Sequence, residues 1–360
     1  MTVRFAAGLI AALLLGACGS AQPGGPTVSN LKSPTATLTG AGSTFDEPFF
    51  SRAFARYTQL NPAVTVDYAA QGSSFGIQAF QANSVNFGAS DVPMTKQEIA
   101  EAAGGPVLQV PVALGGEAVS YNLPGVDTGM HLTGSVLADI YLGKITRWDD
   151  RAITDINPTL TFPHEPITVV HRADGSGTTY IFTDFLSSVS PAWETGPGRG
   201  RSVTWPVGVG GSGNQGVADQ VRNLPGAIGY VELAYALRNN FTFARILNTS
   251  GFYVLPVIDT VATAAAQKPN VSAADFSIVN EPGNQSYPIS GYSWALVYQH
   301  QSNATAGEAT VKMLDWLTQA DGQAEAKSID YVPLPDNVSR LARSTLEKVT
   351  DGSGSRLLYR

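Results

Sequence analysis

The spacing of hydrophobic residues predicts helices and strands that alternate along the chain. Between residues 45 and 60, aromatic residues recur near helical spacing, which predicts a helix with Pro48 in its first turn. Val64 to Tyr68 alternates apolar and polar residues, as expected of a strand with one covered face. Further strands are predicted at Leu38 to Gly42, Asn86 to Ser90, 107–121 with a bend at Gly115-Gly116, Ile167 to His171, Ala227 to Val231 and 289–298. Further helices are predicted after Gly72-Ser-Ser74, at Leu137 to Leu142, from Thr178 to Leu186 and at 305–320, with a glycine-rich loop from Gly208 to Gly216. This alternation indicates an α/β fold whose sheet has parallel components.

Composition is that of a folded protein with an acidic balance. The 360 residues are enough for two domains or one large one, and 43% of them are hydrophobic while 14% are charged. The formal net charge is -7 and the sequence has no basic run, which argues against nucleic-acid binding. Any anion that such a chain binds must be held by local dipoles and directed hydrogen bonds.

The N-terminal region has the features of a secreted lipoprotein. An apolar run from Leu9 to Leu15 follows Arg4 and is too short to span a bilayer, so residues 1–17 are predicted to be a signal peptide. The run ends in Leu15-Gly-Ala-Cys18, which resembles a bacterial lipobox and implies cleavage before Cys18 and acylation of its thiol. The alternative for this single cysteine is a buried structural role; it cannot form an intramolecular disulfide. Residues 18–37 are predicted to be a lipid-anchored flexible tether, because Gly, Pro, Ser and Thr are abundant there.

Three times, a predicted strand ends in a Gly/Ser/Thr turn that starts a helix: at 40–45, 72–76 and 175–179. The N-terminus of a helix has unpaired backbone N–H groups and a partial positive charge, so such a turn can bind an anion without a lysine. Three turns that converge on one cleft would surround a tetrahedral oxyanion. The alternative is ordinary capping: Thr44 to Glu47 fits a capping box, in which Thr44 only starts its helix.

Arg172 strengthens the interpretation as an anion site. It follows an apolar strand and precedes Gly175-Ser-Gly-Thr178, and a guanidinium can give two parallel hydrogen bonds to a phosphate. Asp174 can hold that guanidinium in place. The alternative is a surface salt bridge, which would contribute little. The four histidines have no metal-ligand spacing, and His171 is predicted to be structural, as are the tryptophans of the core or rim. No metal and no cofactor is therefore expected.

Several segments together resemble the family of periplasmic phosphate-binding proteins, the receptors of bacterial high-affinity phosphate ABC transporters. The resemblance covers about residues 38–345, with its motifs in family order. These motifs are Thr39-Gly-Ala-Gly-Ser-Thr-Phe45, Gly72-Ser-Ser74, Phe87-Gly-Ala-Ser-Asp91, Asp139-Ile-Tyr-Leu-Gly-Lys-Ile145, Trp148-Asp149-Asp150, Arg172-Ala-Asp-Gly-Ser-Gly-Thr178 and Leu224-Pro-Gly-Ala-Ile-Gly-Tyr-Val231.

The resemblance implies a type II-like periplasmic-binding-protein fold, with a hinge between two mixed-sheet domains and the ligand cleft between them. The first domain would comprise residues 38–112 plus 290–345, the second residues 113–289, and residues 346–360 would form a C-terminal tail. Two chain crossings between the domains suit closure about a hinge.

The resemblance also implies the residues that bind phosphate. Thr44 and Ser73 would donate their hydroxyls and Phe45 its backbone N–H. Arg172 would pair with the anion, braced by Asp174. The remaining donors would be Ser176, Gly177 and Thr178. Ser43 would support these residues without contacting phosphate itself. One departure is Phe75, which stands where the family often has a second glycine, and it weakens the expectation of backbone donors at that turn.

Asp91 would accept a proton carried by phosphate. A carboxylate beside a bound anion is repulsive unless a proton lies between them, so Asp91 would reject sulfate, which carries none. A buried acceptor left without a hydrogen-bond donor in this way can cost about 1–3 kcal/mol or more. The alternative for Asp91 is a helix N-cap before Pro93.

The expected function is extracytoplasmic, high-affinity binding of inorganic phosphate and its delivery to the permease of an ABC importer. The protein would be a monomer, lipid-anchored in the periplasm or on the outer face of the membrane, and not an enzyme. A phosphatase is the alternative of another class, but it needs a metal or an activated nucleophile with a base, and Ser73 and Ser176 have no evident histidine partner. A receptor for sulfate or molybdate is opposed by Asp91. An adhesin or signalling lipoprotein would keep the fold and lack phosphate binding.

Overall fold

The computed structural model describes residues 35–359. The predicted signal peptide, Cys18 and the tether up to residue 34 lie outside the described residues. The strands are β1 Ala36–Gly42, β2 Val64–Ala70, β3 Phe87–Ser90, β4 Val107–Tyr121, β5 His131–Leu132, β6 Thr168–Arg172, β7 Val209–Gly211, β8 Ala227–Glu232, β9 Thr242–Phe243, β10 Arg245–Leu247, β11 Tyr253–Val254, β12 Ser290–Tyr298, β13 His300–Gln301 and β14 Thr350–Asp351. The helices are α1 Glu47–Leu60, α2 Ser73–Gln81, α3 Lys96–Ala100, α4 Gly134–Tyr141, α5 Arg151–Thr154, α6 Gly177–Val189, α7 Pro191–Thr195, α8 Gly213–Asn223, α9 Leu233–Arg238, α10 Ile258–Gln267, α11 Ala304–Thr318, α12 Ala320–Lys327 and α13 Asp336–Leu346.

A central mixed sheet has the strand order β2-β1-β3-β12-β4-β8-β6-β7, with β9 also pairing with β4. The pairs β1–β2, β1–β3, β6–β8 and β6–β7 are parallel, while β12 is antiparallel to its neighbours β3 and β4. The predicted α/β class with parallel components is therefore confirmed.

The long strand β4 joins the two halves of this sheet. Up to Gly116 it pairs with β12, and from Glu117 onward it pairs with β8. The two glycines at this change of partner allow close packing, since a Cβ on Gly115 would lie 2.5 Å from the Phe45 ring and one on Gly116 would lie 2.7 Å from Val261. The strand is continuous here, and the predicted bend corresponds to the position where its partner changes.

Aromatic residues drive the packing of α1 onto the sheet. Its buried face carries Phe49, Phe50, Phe54 and Tyr57, and the rings of Phe50 and Phe54 lie 4.8 Å apart. Full burial of such a side chain stabilises the fold by about 1.5–3 kcal/mol. The predicted helix is confirmed with Pro48 in its first turn. Asp46 stands at its N-cap position without a capping hydrogen bond from its side chain, and Thr44 lies outside the helix.

Three regions differ from their predicted form. The expected glycine-rich loop from Gly208 to Gly216 is instead strand β7 followed by helix α8, because β7 adds in parallel to β6, a long-range pairing that local composition does not reveal. After α13, strand β14 pairs with β13, and Leu357 is fully buried. Ala36 and Thr37, at the end of the predicted tether, belong to β1.

Within residues 35–359, none of the helices combines the length and apolar character that crossing a bilayer requires.

Candidate functional site

The N-termini of four helices, α1, α2, α6 and α8, meet at one place. The backbone N–H of Gly177, at the start of α6, donates to Ser73 Oγ at the start of α2, at 3.1 Å. Thr44, just before α1, accepts a hydrogen bond from the backbone N–H of Asn214 in the first turn of α8, at 3.1 Å. The three predicted turns are thus brought together, and α8 joins them. Unpaired N–H groups and the positive ends of four helix dipoles favour a bound anion here.

Thr44 takes part in this cluster and does not cap α1. Its Oγ1 accepts from the backbone N–H of Asn214 and from Asn214 Nδ2, at 3.1 and 3.0 Å. The capping-box alternative for Thr44 is therefore wrong, because its hydroxyl is occupied across the cleft by α8.

Ser73 connects two sides of the cluster through its hydroxyl. Its Oγ accepts from the backbone N–H groups of Gly177 at 3.1 Å and of Asp91 at 3.2 Å. With both lone pairs of the oxygen used, its single proton is left for donation. Asp91 Oδ2 lies 3.5 Å from Ser73 Oγ.

Arg172 is the buried cation of the site. Its side chain is only 1% exposed, and Asp174 pairs with it through both Nε and Nη2. Nη1 donates to Thr178 Oγ1 at 3.3 Å. Asp174 also accepts from the backbone N–H of Gly213 at 2.9 Å. Burial acts to raise the pKa of Asp174, but the hydrogen bonds and charge of Arg172 outweigh it and lower that pKa. The surface-salt-bridge alternative is wrong, because the guanidinium of Arg172 is buried and Asp174 is only partly exposed.

Asp91 faces Arg172 and the start of α6 from the other side. It is 2% exposed, and its Oδ1 has no hydrogen-bond partner within the described chain. Burial raises the pKa of Asp91 to about 6, against the lowering effect of the nearby Ser43 and Ser293 hydroxyls and of the Arg172 charge. The N-cap alternative is wrong, since α3 begins at Lys96 and is capped by Thr95.

Three further carboxyl groups lie near Asp91 and are nearly or fully buried: Asp46, Glu117 and Glu232. Burial raises the pKa of each, and the charge of Asp91 adds to that effect. For Glu232 the pKa rises to about 8, despite the hydrogen bond that it accepts from the backbone N–H of Ala234 at 2.7 Å. Raised pKa values favour the protonated, uncharged forms of these three groups, which limits the negative charge beside the anion site.

Other predicted residues have local roles in this structure. The N–H of Phe45 donates to Ser43 Oγ at 2.9 Å. Ser176 caps α6, since its Oγ accepts from the N–H of Thr179 at 3.1 Å. Phe75 is 39% exposed, whereas Ser73 is fully buried.

Asn214 is the site residue that the sequence interpretation missed. It is fully buried and contacts both Thr44 and Thr178. The signal was present, because Gly210-Gly-Ser-Gly213 repeats the Gly/Ser turn of the other three sites. It was overlooked because β7 is a three-residue edge strand without a hydrophobic pattern.

His171 is structural, as predicted. Its ring stacks on Trp205 with centroids 4.7 Å apart, and its Nδ1 lies 3.0 Å from the carbonyl oxygen of Arg172. Among residues 35–359, no cluster of His, Cys, Asp and Glu has the arrangement of a metal site. Trp148, Trp193 and Trp294 belong to the core.

Comparison with known proteins agrees with this geometry. A family model described as a PBP superfamily domain matches residues 22–321. A phosphate-binding protein PstS of Xylella fastidiosa strain 9a5c is 39% identical, over 89% of this chain and 88% of its own length. One from Pasteurella multocida is 37% identical, over 90% and 93%.

Solved structures show the same two-domain fold. A phosphate-binding protein of Stenotrophomonas maltophilia superposes with a TM-score of 0.66 at 20% identity, covering 86% of this chain and 93% of that one. A putative phosphate ABC transporter substrate-binding protein of Clostridium perfringens, with bound phosphate, gives 0.62 at 18% identity, covering 83% and 100%. With its sheet, its converging helix N-termini and these relatives, the chain belongs to the PBP superfamily and, within it, to the family of the phosphate-binding proteins PstS.

Proposed function

We propose that this protein binds inorganic phosphate outside the cytoplasm with high affinity and delivers it to an ABC-type importer. The observation that carries the proposal is the pairing of a buried cation, Arg172, with a buried carboxyl, Asp91, across a cluster of N–H and O–H donors. The N–H and O–H donors and the guanidinium can donate hydrogen bonds to the oxygens of an oxyanion. Asp91 can accept a hydrogen bond from a protonated oxygen of the ligand.

Selectivity follows from the proton on the ligand. Phosphate near neutral pH carries at least one proton, so Asp91 can accept a hydrogen bond from it. Sulfate would place an acceptor against the free Oδ1 of Asp91, in a site where desolvation makes that contact costly, by about 1–3 kcal/mol.

We further propose that the domains comprise residues 38–112 plus 290–345 and residues 113–289, and that they close over the anion. The change of partner along β4 at Gly116 and Glu117 supports a crossing there, as does the start of β12 at Ser290. Contacts across the proposed cleft support closure: Ser74 N donates to Gly175 O at 2.9 Å, and Arg201 pairs with Glu98. The protein acts as a monomer and performs no chemical step.

The membrane attachment is a separate part of the proposal. Cleavage before Cys18 and acylation of its thiol would anchor the protein outside the membrane, within reach of the permease. Cells that express the wild type and Cys18→Ser, grown with a labelled fatty acid, test this. We expect label and membrane association only in the wild type; equal labelling would contradict the proposed anchor.

Calorimetric titration of the purified protein, stripped of ligand, tests phosphate binding. We expect tight binding of phosphate and no heat with sulfate. Asp91→Asn should weaken phosphate binding and narrow the difference between the two anions, because the amide can donate to sulfate. Asp67→Asn, at an exposed position on β2, is the matched control. A folded wild type that binds no phosphate would refute the proposal, and discrimination unchanged in Asp91→Asn would refute the role of Asp91.

A further inference from the structure

Asn214 holds both of its neighbouring threonines through one side-chain amide. Its Nδ2 donates to Thr44 Oγ1 at 3.0 Å and to Thr178 Oγ1 at 3.3 Å. The two threonines precede or open different helices, α1 and α6, and Asn214 is itself fully buried in the first turn of α8. One planar amide group therefore connects three of the four helix N-termini.

The orientation of this amide is determined by the backbone. Asn214 Oδ1 accepts from the backbone N–H of Glu232 at 2.9 Å. A backbone N–H can only donate, so the atom facing it must be the oxygen, and the NH2 group must face the threonines. The reversed amide would set two donors against each other.

The hydrogen bonds that the two threonine hydroxyls accept determine how each hydroxyl can still act. A hydroxyl has two lone pairs and one proton. Thr44 Oγ1 accepts from the N–H and the Nδ2 of Asn214, while Thr178 Oγ1 accepts from Asn214 Nδ2 and from Arg172 Nη1. Both oxygens have used their lone pairs, and in the described chain neither hydroxyl proton has an acceptor.

We propose that Asn214 is a positioning residue that orients the Thr44 and Thr178 hydroxyls as obligate donors to the bound anion. This inference rests on the proposed phosphate binding. Asn214 acts through the hydroxyls, whereas Asp91 is the acceptor for the ligand proton. The site thereby has a defined direction for its hydrogen bonds: donors wherever phosphate presents bare oxygens, and one acceptor where it presents a proton.

A double-mutant cycle tests the coupling. Phosphate affinity is measured for the wild type, Asn214→Ala, the double variant Thr44→Val with Thr178→Val, and the triple variant. We expect Asn214→Ala to weaken phosphate binding about tenfold when the hydroxyls are present, and less than about twofold when they are absent. If Asn214 only fills space, its removal will cost the same in both backgrounds, and that result would overturn the proposal.

Asn214→Asp provides the reverse test and keeps the acceptor for the Glu232 N–H, so it preserves the local fold. Its second oxygen would accept from the threonine hydroxyls and turn their lone pairs toward the anion. We expect Asn214→Asp to bind phosphate at least about tenfold more weakly than Asn214→Ala, beyond the ratio of these two variants in the valine background. The valine background retains the added negative charge, so it isolates the effect of hydroxyl direction.

These outcomes separate the two proposals. A wild type without phosphate binding would refute the proposed function, and this inference with it. A wild type that binds phosphate, combined with an Asp-to-Ala ratio that is equal in both backgrounds, would overturn only the role of Asn214. Thermal unfolding of every variant confirms that the compared proteins are folded.

Discussion

Glu117 and Glu232 are directly paired residues of the antiparallel strands β4 and β8, and both side chains are buried. Paired residues of antiparallel strands project from the same face of the sheet. Within residues 35–359 neither carboxyl oxygen of Glu117 has a hydrogen-bond partner, nor has Oε1 of Glu232. Two like acids side by side at this depth resist ionisation, which makes the stability of the fold depend on pH.

The first prediction concerns this pH dependence. Burial and the charge of Asp91 raise the pKa of Glu117, and burial raises that of Glu232 from 4.5 to about 8. Because the folded state binds these protons more tightly than the unfolded state, this stability is fully present below pH 4.5. It is lost as pH rises toward about 8, by at most about 1.4 kcal/mol per pH unit for each group. Urea unfolding between pH 4.5 and 8 should show the decline.

Glu117→Gln should reduce that decline. The amide does not ionise and can donate to Glu232, so we expect a gain of about 1–2 kcal/mol at pH 8 and little change at pH 5. Glu101→Gln, at an exposed position, is the control and should be neutral at both pH values. An equal effect of Glu117→Gln at pH 5 and pH 8 would contradict the assignment of the titration to this pair.

Gly177 permits the close approach of Asp91 to α6. A Cβ at this position would lie 2.5 Å from Asp91 Cβ and 2.7 Å from Ser73 Oγ. Gly177→Ala should therefore push the two sides of the site apart and weaken phosphate binding about 10- to 100-fold by titration. Gly352→Ala, where a Cβ would meet nothing within 4 Å, should bind as the wild type does. Unchanged binding by Gly177→Ala would show that the bound state does not need this contact.

Arg172→Lys should abolish most of the affinity although the charge is retained. A lysine ammonium cannot pair with Asp174 through two nitrogens and still donate to Thr178. We expect phosphate binding to weaken by about 100-fold, equivalent to about 2–3 kcal/mol. Arg151→Lys, on the exposed helix α5, is the matched control. Near-normal affinity of the lysine variant would mean that charge alone recognises the anion.

The pair of Arg201 and Glu98 crosses the proposed cleft, with side chains about one-fifth exposed. Loss of this partly solvated ion pair should favour opening, so we expect Glu98→Gln to release phosphate about two- to fivefold faster in stopped-flow experiments. Asp155→Asn removes an exposed ion pair between Arg151 at the start of α5 and Asp155 just after its end, and it should leave the release rate unchanged. A slower or unchanged release from Glu98→Gln would count against a closed state held by this pair.

Local features of the site could be predicted from the sequence because they depend on neighbouring residues. Where a glycine or serine turn leads from a strand into a helix, the helix start has free N–H groups, and the residues of the turn suffice to indicate this. Arg172 and Asp174 are close enough along the chain to pair without any distant element. The aromatic spacing of α1 likewise determined which of its faces is buried.

Positions that depend on distant parts of the chain could not be predicted in this way. Asn214 lies 170 residues from Thr44 along the chain, and it reaches the site only because β7 adds to the edge of β6. The pairing of Glu117 with Glu232 follows from the register of β4 against β8, which no local pattern specifies.

The sequence by itself determined three of the four helix starts at the site, the buried face of α1 and the residue types suited to an anion. The tertiary structure decided which of these groups meet, which hydroxyls must donate, and which carboxyls share one buried region. The physical reason is range: dihedral preferences and capping act within a few residues, whereas sheet register and hydrogen-bond direction are set by contacts between segments far apart in the chain.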